Sequence, residues 1–135
     1  MRYALALAAT ALVLQACAQQ APPSRTRMFQ ADLIGAAKNC SVPKVAAAAG
    51  QEATVAMKMG NDGGWCAITV DNAGKPFDAG LLVTEPAHGK IYIHSVGDDT
   101  RIDYTPDARF AGTDAFAARL LPGGAVLRVS VTVGQ

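Results

Sequence analysis

An all-β sandwich of about seven or eight strands is the fold class this sequence predicts, on three observations. Apolar and polar residues alternate in short runs through the body of the chain. Glycine, proline, asparagine and aspartate clusters punctuate those runs, at the roughly 8–12-residue spacing of sandwich strands. Helical spacing of apolar residues occurs once, near the start of the mature chain.

That one exception comes first in the body. Across residues 28–38, Phe29, Leu33, Ala36 and Ala37 recur at helical spacing, and Thr26 is placed to cap the start. The pattern predicts one short helix or a loosely docked arm. Residues 41–45 are the first expected strand. Residues 53–59 then alternate, with Val55, Met57 and Met59 opposite Thr54, Ala56 and Lys58. Gly60, Asn61, Asp62, Gly63 and Gly64 make a turn cluster, after which residues 65–70 put Cys66, Ile68 and Val70 on one face. A short strand at residues 81–84 is stopped by Pro86 and Gly89. Residues 90–96 set Ile91, Ile93 and Ser95 opposite Lys90, Tyr92 and His94, and residues 101–105 put Ile102 and Tyr104 together. A hairpin closes the chain, with residues 114–121 and 125–133 joined through Pro122, Gly123 and Gly124.

Composition narrows the function classes. At 135 residues the chain is sized for one domain, and 50% hydrophobic against 17% charged residues is too apolar for a disordered polymer. The formal charge is +1, and the basic surface that phosphate neutralisation needs is missing, which excludes nonspecific nucleic-acid binding.

The first residues read as an address. Arg2 supplies a positive start, and residues 4–14 carry no charge. That run is too short to cross a hydrocarbon core, which takes about 20 residues, and it fits the apolar part of a secretory signal. The following Leu14-Gln15-Ala16-Cys17 resembles a bacterial lipobox, with Gln15 as its one departure. The resemblance implies cleavage before Cys17, lipidation of its thiol and acylation of the new N-terminus, including palmitate-type chains. Three chains exceed the two-signal threshold for stable anchoring. Ala18, rather than an inner-membrane retention Asp, points to the outer membrane. The expected organisation is a signal peptide at 1–16, a lipid-anchored tether with the possible helix at 17–39, and a sandwich domain at 40–135.

With Cys17 assigned to lipid, Cys40 and Cys66 remain as an even pair in an oxidising compartment, so a disulfide is expected. Neither sits in a C-x-x-C motif.

The second half resembles the bacterial Ig-like, cadherin-like repeat. The residues that carry this are Pro86-Ala87-His88-Gly89, Tyr104-Thr105-Pro106, Phe110-Ala111-Gly112-Thr113-Asp114-Ala115-Phe116 and Val129-Ser130-Val131-Thr132-Val133. The resemblance covers about residues 83–133 and implies an Ig-like β-sandwich. The same residues have physical roles: Tyr104 and Phe116 as inward aromatics, and Asp114 as an acceptor for nearby amides. The repeat stands alone here, and the first half with its cysteine pair matches it poorly.

Few residues suit catalysis. The sequence has no G-x-S-x-G, no H-E-x-x-H and no phosphate-cradling glycine loop, so the expectation is no enzyme, no catalytic residues and no cofactor. His88 and His94 with Met57 and Met59 are the ligand types of a periplasmic copper site, although methionines more often fill core gaps. Asp98, Asp99, Asp103, Asp107 and Asp114 are oxygen ligands of the calcium type, interleaved with Arg101 and Arg109. Trp65, Phe77 and Tyr92 are the candidate partner contacts, because exposed aromatics anchor interfaces. The reading that follows is a non-enzymatic, lipid-anchored envelope module that binds or supports another envelope component. Its alternatives are a copper- or calcium-binding accessory protein and an inhibitor of a cell-wall enzyme.

Overall fold

Period-two alternation becomes strand almost wherever it occurs in the chain, seen here in a computed structural model that describes residues 29–135. The signal segment, Cys17, the tether to residue 28 and the Thr26 cap lie outside the described residues. Eight strands form: β1 (Cys40–Ser41), β2 (Glu52–Gly60), β3 (Cys66–Val70), β4 (Ala79–Thr84), β5 (Gly89–Val96), β6 (Asp99–Pro106), β7 (Gly112–Leu121) and β8 (Ala125–Gly134).

They make two sheets, a five-stranded one in the order β1-β2-β8-β7-β4 and a three-stranded one in the order β3-β6-β5. β2 runs parallel to the last strand from Glu52 opposite Val126 to Gly60 opposite Gly134, and every other ladder is antiparallel. Placing the first long strand beside the last, with β3, β6 and β5 on the facing sheet, is the Greek-key order of an immunoglobulin-like sandwich. The fold class expected from sequence is the fold observed.

Alternation decides what fills the space between the sheets. Val55, Met57 and Met59 of β2, Leu127, Val129, Val131 and Val133 of β8, and Phe116, Ala118 and Leu120 of β7 face inward from the large sheet. Cys66, Ile68, Val70, Ile102 and Tyr104 face them from the small one. Fully burying side chains of this size contributes about 1.5–3 kcal/mol each. Cys40 on β1 and Cys66 on β3 are disulfide-bonded, with Cα atoms 5.4 Å apart. Because the two strands belong to different sheets, the bond staples one layer of the sandwich to the other.

Two expectations are corrected. The strand expected at 41–45 is only the two-residue β1, and residues 42–48 run without regular pairing. The apolar spacing at 28–38 yields a single 3-10 turn, Gln30–Leu33, after which Ile34 is already extended. Phe29 and Leu33 do not pack inward and are 63% and 49% exposed. An amphipathic helix needs a core to receive its apolar stripe, and both sheets already have their inner faces filled by one another. The segment instead lies across the outer face of the three-stranded sheet.

Candidate functional site

The residues that carry the repeat resemblance meet at one end of the sandwich. β6 presents Tyr104 inward, and the Tyr104 hydroxyl donates to Asp114 Oδ2 at 2.9 Å. Asp114 is the third residue of β7, and its carboxylate also accepts the amides of Ala87, His88 and Ala115 at 2.8–2.9 Å. Burial pushes the Asp114 carboxyl up, but these amides and the phenol outweigh it and hold the group below its ordinary value. Burial, then the neighbouring carboxylate, pushes the Tyr104 hydroxyl the other way, upward. Gly89 lies beneath the Tyr104 ring, where a Cβ would come within 2.5 Å of it. The His88 ring stacks on Phe110 at 4.4 Å. These residue types form a clasp between loops: every acceptor position of Asp114 is turned to the chain itself.

A second polar group lies on the outer face of β5 and β6. Arg101 and Asp103, neighbours but one on β6, point away from the core and yet are only 8% and 5% exposed. Arg101 forks onto Asp103 through Nε at 2.8 Å and Nη2 at 3.0 Å. His94 Nε2 approaches Asp103 Oδ2 at 3.1 Å, and since a carboxylate only accepts, Nε2 carries the proton. The cover is the segment at residues 29–37. Arg101 Nη1 donates to the carbonyl of Asp32, and its guanidinium lies 4.0 Å from the Trp65 ring. Trp65 Nε1 donates to the carbonyl of Ile34 at 3.1 Å. The main chains of Gly35 and Ala37 bond the amide and carbonyl of Trp65 at 2.9 and 2.8 Å. Asp62 receives the amides of Lys38 and Gly64, which lower its carboxyl. The arm is a strap pinned at residues 32, 34, 35, 37 and 38.

The candidate residues scatter over this architecture. Met57 and Met59 are buried on the inner face of the large sheet, whereas His94 stands on the outer face of the small one and His88 on a loop with Phe110. A sheet separates the thioethers from His94. Asp103 and Asp114 are spent on Arg101 and on backbone amides. Among the described residues no three of His, Cys, Asp and Glu converge as a metal-binding group. Ser95 lies on the strand face opposite to His94, so its hydroxyl does not stand beside the His94–Asp103 pair.

Of the aromatic contacts, Tyr92 is 63% exposed and its ring leans on His94 at 4.3 Å. Trp65 is half-buried under the strap. Phe77 is corrected: it is 6% exposed, part of the core, with its amide bonded to Thr100 Oγ1 at 2.8 Å. Its burial follows from the loop being drawn inward by that bond, which no local pattern announces.

Sequence reasoning passed over the outer edge of the large sheet. β4 pairs with β7 alone and is the last strand of its order. It carries no charge from Ala79 to Thr84, and Leu81, Leu82 and Val83 are 50%, 37% and 50% exposed. A bulge between Leu82 and Thr84 breaks the register. Edges are usually blunted by lysine, proline or charge, and here the bulge is the only such device on the strand. The available signal was the unbroken run Leu81-Leu82-Val83, which does not alternate and so cannot place all three side chains inside one half-buried strand.

No protein-family model and no curated protein matches this sequence.

Proposed function

We propose that the chain is a non-enzymatic, lipid-anchored module of the bacterial cell envelope, held at the outer membrane through Cys17, which binds another envelope protein along β4. The observation that carries the binding is the apolar, uncharged β4 edge with Leu81, Leu82 and Val83 in solvent. A free edge offers a row of main-chain donors and acceptors, and a partner strand added there gains both those bonds and apolar contact. The lipobox-like Leu14-Gln15-Ala16-Cys17 supports the anchor. The clasp around Asp114 supports the cadherin-like repeat reading, because the residues that carry that resemblance are the ones that interlock. The bonding of the Asp103 carboxylate to both Arg101 and His94 supports a structural role for that array.

A photoreactive side chain at position 81 or 83, in cells making the full chain, tests the reading. One stoichiometric crosslinked partner at these positions, and none at Lys58 on β2, is the expected outcome. Equal crosslinking at both places, or none at β4, would overturn it.

A further inference from the structure

Seven large apolar side chains are exposed among the described residues, and three of them belong to β4. The other four share one side of the sandwich. Phe29, Leu33 and Ile34 stand on the strap, which is bonded down on the outer face of the three-stranded sheet through Arg101 and Trp65. Tyr92 projects from that same face of β5, two residues from His94, whose cross-strand partner is Arg101. Their exposures are 63%, 49%, 78% and 63%. A strap held by this many bonds has its polar groups satisfied beneath it and its apolar side chains turned out, the reverse of an ordinary surface arm. Exposed apolar groups gathered on one face mark a surface that another phase or molecule covers.

We infer that this face rests on the membrane surface, with Phe29, Leu33, Ile34 and Tyr92 at the boundary between headgroups and acyl chains. The inference rests on the reading of Cys17 as the lipid attachment site. Eleven residues separate Cys17 from Phe29. Even fully extended they reach at most about 40 Å. The strap is therefore the first described part of the chain after the anchor, and it cannot leave the neighbourhood of the bilayer. Tethering of this sort raises the effective concentration of the second contact, so a weak interfacial affinity suffices.

Chemistry favours lipid as the occupant. Tyrosine, with an apolar body and a polar tip, is a side chain of the interfacial region. Lys90 is exposed on the same face of β5 as Tyr92 and suits anionic headgroups. Of the carboxylates on this side, Asp103 is paired with the Arg101 guanidinium, and Asp32 accepts the Phe29 amide. β4 belongs to the other sheet, so contact through the strap face leaves the proposed partner edge open.

The full chain carrying Ile34→Trp, and separately Lys58→Trp on the opposite sheet, tests this, with Trp65 kept in both as a common background. Each is placed with vesicles of phosphatidylethanolamine and phosphatidylglycerol whose acyl chains are brominated. The expected result is blue-shifted emission at position 34, quenched several-fold more than at position 58. Equal quenching at the two positions, weak or strong, overturns the inference and leaves the face to a protein or a second copy of the chain. The mass of the same sample at Cys17 separates the two ideas. Quenching at position 34 on an unlipidated chain removes the anchor and keeps the face, and a lipidated chain without it does the reverse.

Discussion

Tyr104 gives its phenolic hydrogen to Asp114 across 2.9 Å, and the oxygen that receives it also takes the amide of His88 at 2.9 Å. One carboxylate thereby joins β6, β7 and the loop that leads into β5. The loops at this end of the sandwich are fixed by a charged acceptor, so their order depends on its ionisation.

Asp114→Ala removes four hydrogen bonds and leaves the Tyr104 hydroxyl only its longer contact with the His88 carbonyl, at 3.3 Å. The expected loss is about 2–3 kcal/mol at neutral pH, against about 1 kcal/mol for Tyr104→Phe, which leaves the amides satisfied. Urea unfolding of the three proteins checks the order.

The same carboxylate sets an acid dependence. Its folded value lies below the ordinary one, near 3.9 in an unfolded chain, so the native state favours the ionised form. That contribution is present in full above the unfolded value and is lost as pH falls through the folded one. Asp114→Asn should therefore be less stable than the native protein at pH 7, with the gap closing on acidification below about pH 4. Unfolding curves across that range measure it, and a gap independent of pH would argue against the clasp.

Arg101→Met strands a buried carboxylate with His94 as its remaining side-chain partner. Breaking one side of such a pair costs about 3–5 kcal/mol, whereas replacing both sides by apolar groups costs far less. Arg101→Met/Asp103→Leu should recover most of the stability that Arg101→Met loses. Gly64→Ala probes the strap itself, since the new Cβ would lie 2.5 Å from the Ala37 nitrogen. Faster amide exchange at Ala37 and Lys38, with β7 and β8 unchanged, is the expected signature.

Phe77→Ala should cost about 3–5 kcal/mol, the loss of a core aromatic rather than of a surface contact. Thermal unfolding distinguishes the two, because an exposed phenylalanine would change stability by about 0.5 kcal/mol or less.

The strands were legible where alternation is a local property. Leu127, Val129, Val131 and Val133 define the inner face of β8 without any knowledge of its neighbours, and Asp114 reads as an amide acceptor from its place after a glycine turn. Phe77 was not legible, because its burial depends on Thr100, 23 positions later. Asp103 read as a calcium-type oxygen ligand interleaved with Arg101, and on an outward strand face both would be solvated if the strap were absent. Their burial comes from a segment about seventy positions earlier, bonded at Asp32. The Leu81-Leu82-Val83 run was visible as apolar, but its exposure follows from β4 ending the sheet order, a property of topology alone.

The disulfide closes a span of 26 positions between the two sheets. Replacing both Cys40 and Cys66 by alanine should cost about 3 kcal/mol by loss of that constraint on the unfolded chain. Denaturant unfolding of the oxidised protein and the double variant measures it.

Anchoring governs everything proposed for this domain at a membrane, and mass spectrometry of the N-terminal peptide from the native envelope tests it most directly. The expected peptide begins at Cys17 and carries a diacylglyceryl group with an acylated amine. A mature chain that begins elsewhere, with no fatty acid on Cys17, would contradict the anchor.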